Sequence, residues 1–180
     1  NVADMDGDGD LDIISAITND NRIAWHENSG GATPSFSTHV INRNASGVRA
    51  ALAADLDGDG DMDVYSASHG DNKIAWYENL VGVASRFVEH VVTQNAMYAR
   101  SAYAADLDGD GDMDLMSASQ NDGKVNWYRN NGGPTPAFTP ITIGYAAGAQ
   151  HIYAADMDSD GDLDILTASE FDNTIAYYEN

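Results

Sequence analysis

The segment ADLDGDGDMD, residues 54–63, places Asp55, Asp57, Asp59, Asp61 and Asp63 at every second position. At neutral pH these are five like charges within nine residues, enough mutual repulsion to unfold an isolated loop. Yet the chain writes the stretch again from Asp4, Asp106 and Asp156, giving spacings of 51, 51 and 50 residues. A self-repelling segment that recurs on a fixed period needs a compensating partner. A period near 50 residues also dictates a repeat architecture.

The units align beyond the acidic stretch. RAALAADLDGDGDMDVYSASHGDNKIAWYEN matches RSAYAADLDGDGDMDLMSASQNDGKVNWYRN and QHIYAADMDSDGDLDILTASEFDNTIAYYEN, and the first unit is NVADMDGDGDLDIISAITNDNRIAWHEN. Each unit reads as strands. ALAAD is a short apolar run, and DMDVYSAS is β-branched and aromatic. Asp20-Asn21, Asp71-Asn72, Asp122-Gly123 and Asp172-Asn173 mark turns. KIAWYEN alternates, with Ile74 and Trp76 on one face and Ala75 and Tyr77 on the other. A Gly/Pro-rich loop leads to a fourth strand, FSTHVI or FVEHVV. Four short strands per unit match the period of propeller blades, which bury their faces by stacking on one another. Trp25, Trp76, Trp127 and Tyr177 recur at one strand position, which favours inter-blade packing over the alternative of carbohydrate-stacking aromatics.

Of 29 acidic residues, 20 lie in the four Asp stretches, against 8 basic residues and a formal net charge of −21. The acidity is local and repeated. It argues against nucleic acid and anionic membranes as partners, because phosphates would be repelled. No apolar run is long enough to span a bilayer. There is no cysteine, hence no disulfide framework.

A cation resolves the repulsion. Calcium takes 6–8 oxygens at about 2.3–2.6 Å, mostly from carboxylates and carbonyls. Each loop offers oxygens at positions 1, 3, 5 and 9, with position 7 placed to give its carbonyl. Gly9, Gly60, Gly111 and Gly161 make the turn at position 6. The loop is not an EF-hand, since position 12 is Ser15, Ser66, Ser117 or Thr167 rather than Glu. The ninth-position aspartate has to take the bidentate role. Magnesium prefers smaller octahedral sites, and the His or Cys set that zinc wants is missing. The alternative is a solvated acidic turn without metal, against which stand four copies with glycine in register.

DLDGDGDMD followed by a strand resembles the calcium loop of FG-GAP/VCBS repeats, the blades of integrin-α-type β-propellers. The IAWYEN ending is similar to VCBS repeats of large secreted bacterial proteins. The resemblance implies an all-β β-propeller of four-stranded antiparallel blades, with a calcium loop between the first and second strand of each blade. Blades are expected at about 1–41, 42–92, 93–143 and 144–180, the last short of its outer strand, as in a segment of a larger propeller or one whose edge a neighbouring chain completes. It implies four structural Ca2+ sites. Their ligands would be Asp4, Asp6, Asp8, Asp10 and Asp12; Asp55, Asp57, Asp59, Asp61 and Asp63; Asp106, Asp108, Asp110, Asp112 and Asp114; and Asp156, Asp158, Asp160, Asp162 and Asp164. Asp10, Asp61 and their equivalents would bind through the carbonyl. Ser159 replaces glycine at position 4, which is not a ligand, so that site should survive. A secreted or cell-surface bacterial location is expected.

No catalytic constellation stands out, and an enzyme is not expected: there is no phosphate loop or nucleophile elbow. His39 and His90 read as outer-strand surface residues. Arg49, Arg100 and Gln150 align before the inner strand, either as a ligand-contacting row on a propeller face or as a solvated loop or local salt bridge. Asn44 in NAS is a weak glycosylation signal, and Thr33-Pro34 and Thr135-Pro136 read as turns. The functional expectation is an extracellular module for adhesion or recognition of glycans or proteins. Specificity would reside in loops 29–35, 42–49, 80–86, 93–100, 131–137 and 144–150. A structural subunit of an extracellular fibre, self-assembling through an open blade edge, and a non-catalytic region of a secreted polysaccharide-degrading enzyme are the alternatives.

Overall fold

A computed structural model describes residues 1–80 and 86–180; residues 81–85, inside the 80–86 loop, lie outside the described residues. The described chain is all-β, in four antiparallel sheets that do not close into a barrel. The first sheet holds β1 (Val2–Ala3), β2 (Asp12–Ile17), β3 (Arg22–Asn28) and β4 (Phe36–Asn42). The second holds β5 (Val48–Ala54), β6 (Asp63–Ser68), β7 (Lys73–Leu80) and β8 (Arg86–Thr93). β9 (Ala99–Ala105), β10 (Asp114–Ser119), β11 (Lys124–Asn130) and β12 (Phe138–Tyr145) make the third. β13 (Ala149–Ala155), β14 (Asp164–Ser169) and β15 (Thr174–Tyr178) make the fourth. Strands pair in chain order within every sheet, so each repeat is a meander. One 3₁₀ turn, Thr18–Asp20, precedes β3. Among the described residues no helix is long and apolar enough to cross a membrane.

Register repeats as faithfully as sequence does. Ile14, Trp25 and His39 lie side by side across the first sheet. Tyr65, Trp76 and His90 do so in the second, and Met116, Trp127 and Ile141 in the third. In the fourth, Leu166 pairs with Tyr177. Alternation along each strand then sends two sets of residues to opposite faces. Ile74 and Trp76 enter the layer shared with the third sheet, with Leu115 and Tyr128. Ala75 and Tyr77 enter the layer shared with the first, with Ile23 and Trp25. A third layer, around Met116, Val125 and Ile165, joins the last two sheets. The core is thus three apolar layers between consecutive repeats. No sheet buries both faces without its neighbours.

The Asp stretch of each repeat connects its first and second strands. β3, β7, β11 and β15 run back toward that connection and end beside it. The β2–β3 type turns and the links between sheets gather at the opposite end.

Candidate metal centres

Each Asp loop is organised by hydrogen bonds to its own backbone. The position-1 carboxylate is the hub. Asp55 Oδ1 accepts from Gly58 N at 2.8 Å and its Oδ2 from Gly60 N at 3.1 Å. Asp4, Asp106 and Asp156 accept from the backbone of their own loops in the same way. These bonds wind the chain tightly, with positive φ at positions 4 and 6. At position 6 the value is +93° to +104°, which glycine alone takes without strain.

The position-9 carboxylate begins the second strand and is buried in every repeat: Asp12, Asp63, Asp114 and Asp164. One oxygen accepts from the position-2 amide (Met5, Leu56, Leu107 or Met157) at 2.9–3.1 Å. The other accepts from the amide of the asparagine that closes the third strand (Asn28, Asn79, Asn130 or Asn180) at 2.7–3.0 Å. One carboxylate therefore ties three strands together at the loop.

Carboxylate oxygens of Asp55, Asp57 and Asp63 lie within 4.8 Å of one another, as do those of Asp106, Asp108 and Asp114 and of Asp156, Asp158 and Asp164. In the first loop the group is Asp4, Asp6 and Asp8. Oxygens that share one cation at about 2.4 Å can be at most about 4.8 Å apart, so each cluster has the dimensions of a single hard-cation site. An all-oxygen, all-carboxylate donor set suits calcium chemistry. Two position-7 carboxylates turn elsewhere. Those of Asp10 and Asp112 lie against Gly30 and Gly132, where an added methyl would collide with them.

Charge crowding is visible in the acid strengths. Burial first, and neighbouring carboxylates next, push Asp63 up to about 7. Asp6, Asp57, Asp114 and Asp158 are shifted upward as well, with desolvation as the leading cause. The fold thus holds carboxylates where they favour a proton or a cation over bare ionisation.

The FG-GAP-like repeat family matches residues 4–66, 55–117 and 106–167, each match running from one Asp loop into the next repeat. The chain belongs to this family. Among solved structures, this FG-GAP-like chain is similar to the V. cholerae biofilm matrix protein Bap1, with a TM-score of 0.58 and 19% identity. The likeness covers 99% of this chain and 26% of that one, so the chain spans about a quarter of that protein's length. No curated protein matches it in sequence.

Other residues singled out in the sequence fall into structural partnerships. His39 and His90 are half-buried rather than free surface groups. They stack on Trp25 and Trp76 at 4.6 and 4.4 Å, and their Nε2 atoms meet Glu27 and Glu78 at 2.6 and 2.8 Å. Arg100 Nε donates to Gln120 Oε1 at 2.8 Å, and Gln150 Nε2 donates to Glu170 at 2.9 Å, so two members of that row hold local side-chain partners. Arg49 and Asn44 are exposed. His26 meets Ser15 and Thr38 at 3.0 and 2.9 Å. Ser66 and Ser117 meet Tyr77 and Tyr128 in the same register, which makes this a packing pair shared by the repeats.

The sequence reading missed the asparagines. Asn79 Nδ2 donates to Met62 O within its repeat and to Met5 O of the preceding one. Asn130 does the same with Met113 and Leu56, and Asn180 Nδ2 reaches Leu107 O. The only signal was the recurrence of a polar residue at the end of an apolar strand.

Proposed function

We propose that the chain is part of an extracellular β-propeller whose repeats are blades, each locked by one calcium ion, and that it serves adhesion or recognition of glycans or proteins. The observation behind this reading is the fourfold convergence of three carboxylates in each Asp loop, which in the second, third and fourth loops includes the buried position-9 aspartate. Asp4, Asp6, Asp8 and Asp12 would hold the first ion, with the carbonyl of Asp10. Asp55, Asp57, Asp59 and Asp63 with Asp61 would hold the second; Asp106, Asp108, Asp110 and Asp114 with Asp112 the third; and Asp156, Asp158, Asp160 and Asp164 with Asp162 the fourth. The ions would supply charge balance, raising the formal −21 by eight to about −13, and would stabilise the folded state by mass action. The biofilm matrix protein with a similar fold supports an extracellular location. We read the module as non-catalytic, its acidic groups being committed to the loops.

Thermal melting with excess calcium and with chelator, together with calcium titration calorimetry, tests the reading. The expected result is four ions per chain and a large fall in melting temperature on chelation. Unchanged melting, or fewer than one ion per loop, would overturn it.

A second reading, a subunit of an extracellular assembly, is supported by the apolar face of the fourth sheet. Ile175 is 83% exposed there, whereas its equivalents Ile23, Ile74 and Val125 are fully buried.

A further inference from the structure

We propose that the cleft between the third and fourth sheets, at the end away from the Asp loops, binds a neutral pyranose ring of an extracellular glycan. The proposal rests on the reading of the chain as a recognition module and names the ligand class. The cleft is about 220 Å³, the scale of one sugar ring. Tyr145, at the end of β12, and Phe171, in the β14–β15 turn, form part of its lining and are 70% and 62% exposed. Gln120, Asn121 and Asp122 supply the polar side chains of the lining.

Repetition separates these aromatics from the packing residues. A side chain the fold needs recurs in every repeat, as Trp25, Trp76 and Trp127 do. The residues equivalent to Phe171 are Asn19, Gly70 and Asn121. Counting back from the alanines that link successive sheets, those equivalent to Tyr145 are Asn44 and Asn95. Two large aromatic groups at one junction, both exposed, are not explained by sheet stacking.

Their backbones are fixed. Phe171 N donates to Ala147 O at 3.1 Å, and Ala147 N donates to Asp172 Oδ2 at 3.1 Å. Ala146 N donates to Gly123 O at 2.7 Å, and Tyr178 Oη donates to Tyr145 O at 3.4 Å. The Phe171 ring lies on the Cα of Gly148, where an added methyl would collide with it. A pyranose has faces rich in C–H and a rim of hydroxyls. The rings match the former, and the Asn121 amide offers both donors and an acceptor to the latter. Asp122 in the lining, with Glu170 and Asp172 in the adjoining turn, disfavours an anionic sugar.

The test is saturation-transfer NMR in calcium with the methyl glycosides of glucose, galactose, mannose and N-acetylglucosamine, and with glucuronate as the anionic counterpart. At least one neutral glycoside should bind. Its affinity should fall about tenfold or more in Tyr145→Ala and in Phe171→Ala, survive in Tyr145→Phe and Phe171→Tyr, and be unchanged in Phe36→Ala, an exposed aromatic on the first sheet. The proposal is overturned if no neutral glycoside binds, if binding persists in the Tyr145→Ala/Phe171→Ala double variant, or if glucuronate binds as well as the neutral sugars. Melting with and without chelator on the same samples separates the two readings. A calcium-stabilised protein that binds no sugar sinks this proposal alone, whereas calcium-independent melting sinks the metal reading.

Discussion

Asn79 and Met5 lie 74 residues apart in sequence, yet the Asn79 side-chain amide donates to the Met5 carbonyl at 2.9 Å. The same amide donates to Met62 O at 3.0 Å, and its own backbone amide donates to Asp63. Since Met5 is position 2 of the first Asp loop, Asn79 joins the acidic loops of two successive repeats. Asn130 repeats the bond to Leu56 across the next junction, also over 74 residues. The acidic loops of successive repeats are therefore joined by side-chain hydrogen bonds along the chain.

Removing the clamp should cost more than a surface polar change. Asn79→Ala and Asn130→Ala each leave two carbonyls without their donor in a buried setting, a loss of about 1–3 kcal/mol. Asn28 Oδ1 accepts from Gly30 N as Asn130 Oδ1 does from Gly132 N, but Asn28 Nδ2 donates to one carbonyl only, the exposed Leu11 O, so Asn28→Ala should cost clearly less. Urea unfolding of the three variants in calcium checks the order. Equal losses would mean that the inter-repeat bond contributes nothing.

The acid strength of Asp63 sets a pH dependence in chelator. Its folded value is about 7, against an unfolded value of about 3.9. The folded state then holds the proton more tightly, so this group's contribution is fully present below about pH 4 and is lost as pH rises toward 7. The slope is at most about 1.4 kcal/mol per pH unit for one group, and Asp114 acts in the same direction. Under the proposed calcium reading a bound ion would have to displace that proton, so the stabilisation by added calcium should grow over the same window. Denaturation at pH 4.5, 6 and 7.5, with chelator and with calcium, tests both signs. Asp63→Asn should flatten the chelator curve.

The strands and their faces were legible because period-two alternation and a 50-residue repeat act within single elements. Ile74 and Trp76 part from Ala75 and Tyr77 as alternation requires, and Trp25 and Trp76 lie in the inter-sheet layers. The acidic clusters were legible because the ligand types lie within nine residues. What the sequence hid depends on elements that meet only in three dimensions. Asn79 looks like a strand end until Met5 is brought to it. His90 looks like a surface residue until register sets it on Trp76 with Glu78 at its edge. Asp10 and Asp112 share the alternation of their neighbours, yet tight winding at the position-6 glycines turns their carboxylates toward Gly30 and Gly132.

Ser159 tests the backbone of the fourth loop in isolation. Its φ is +68°, while the equivalent Gly7, Gly58 and Gly109 sit at +72° to +75°. A methyl at those glycines would meet nothing within 4 Å, so the penalty at Ser159 is conformational alone. A left-handed non-glycine residue costs about 1–2 kcal/mol, and glycine gives back about 0.5–1 kcal/mol through the entropy of the unfolded chain. Ser159→Gly should therefore stabilise by about 0.5–1 kcal/mol, and Gly58→Ser should destabilise by a similar amount. Chelator-free denaturation at fixed calcium measures both. A destabilised Ser159→Gly would point to a contact of the serine hydroxyl beyond the loop.

The fourth sheet leads to a prediction about association. Tyr177 and Met157, at positions equivalent to buried Trp76 and Leu56, are 48% and 53% exposed beside Ile175. On the first sheet Ile13 and Phe36 are exposed, whereas their successors Val64 and Phe87 pack into the layer shared with the first sheet. Stacking one on the other would reproduce an internal junction, and the Asn28 amide would face Met157 O as Asn79 faces Met5 O. Apolar burial at about 25 cal/mol per Å² drives such a contact, and the repeated polar clamp fixes its register. Sedimentation velocity over a concentration series in calcium should show reversible self-association. Ile175→Lys should abolish it without lowering the melting temperature, because the residue is already in solvent. Asn28→Ala should weaken it while Ser159→Gly leaves it intact. Association that survives Ile175→Lys would place the contact on another surface.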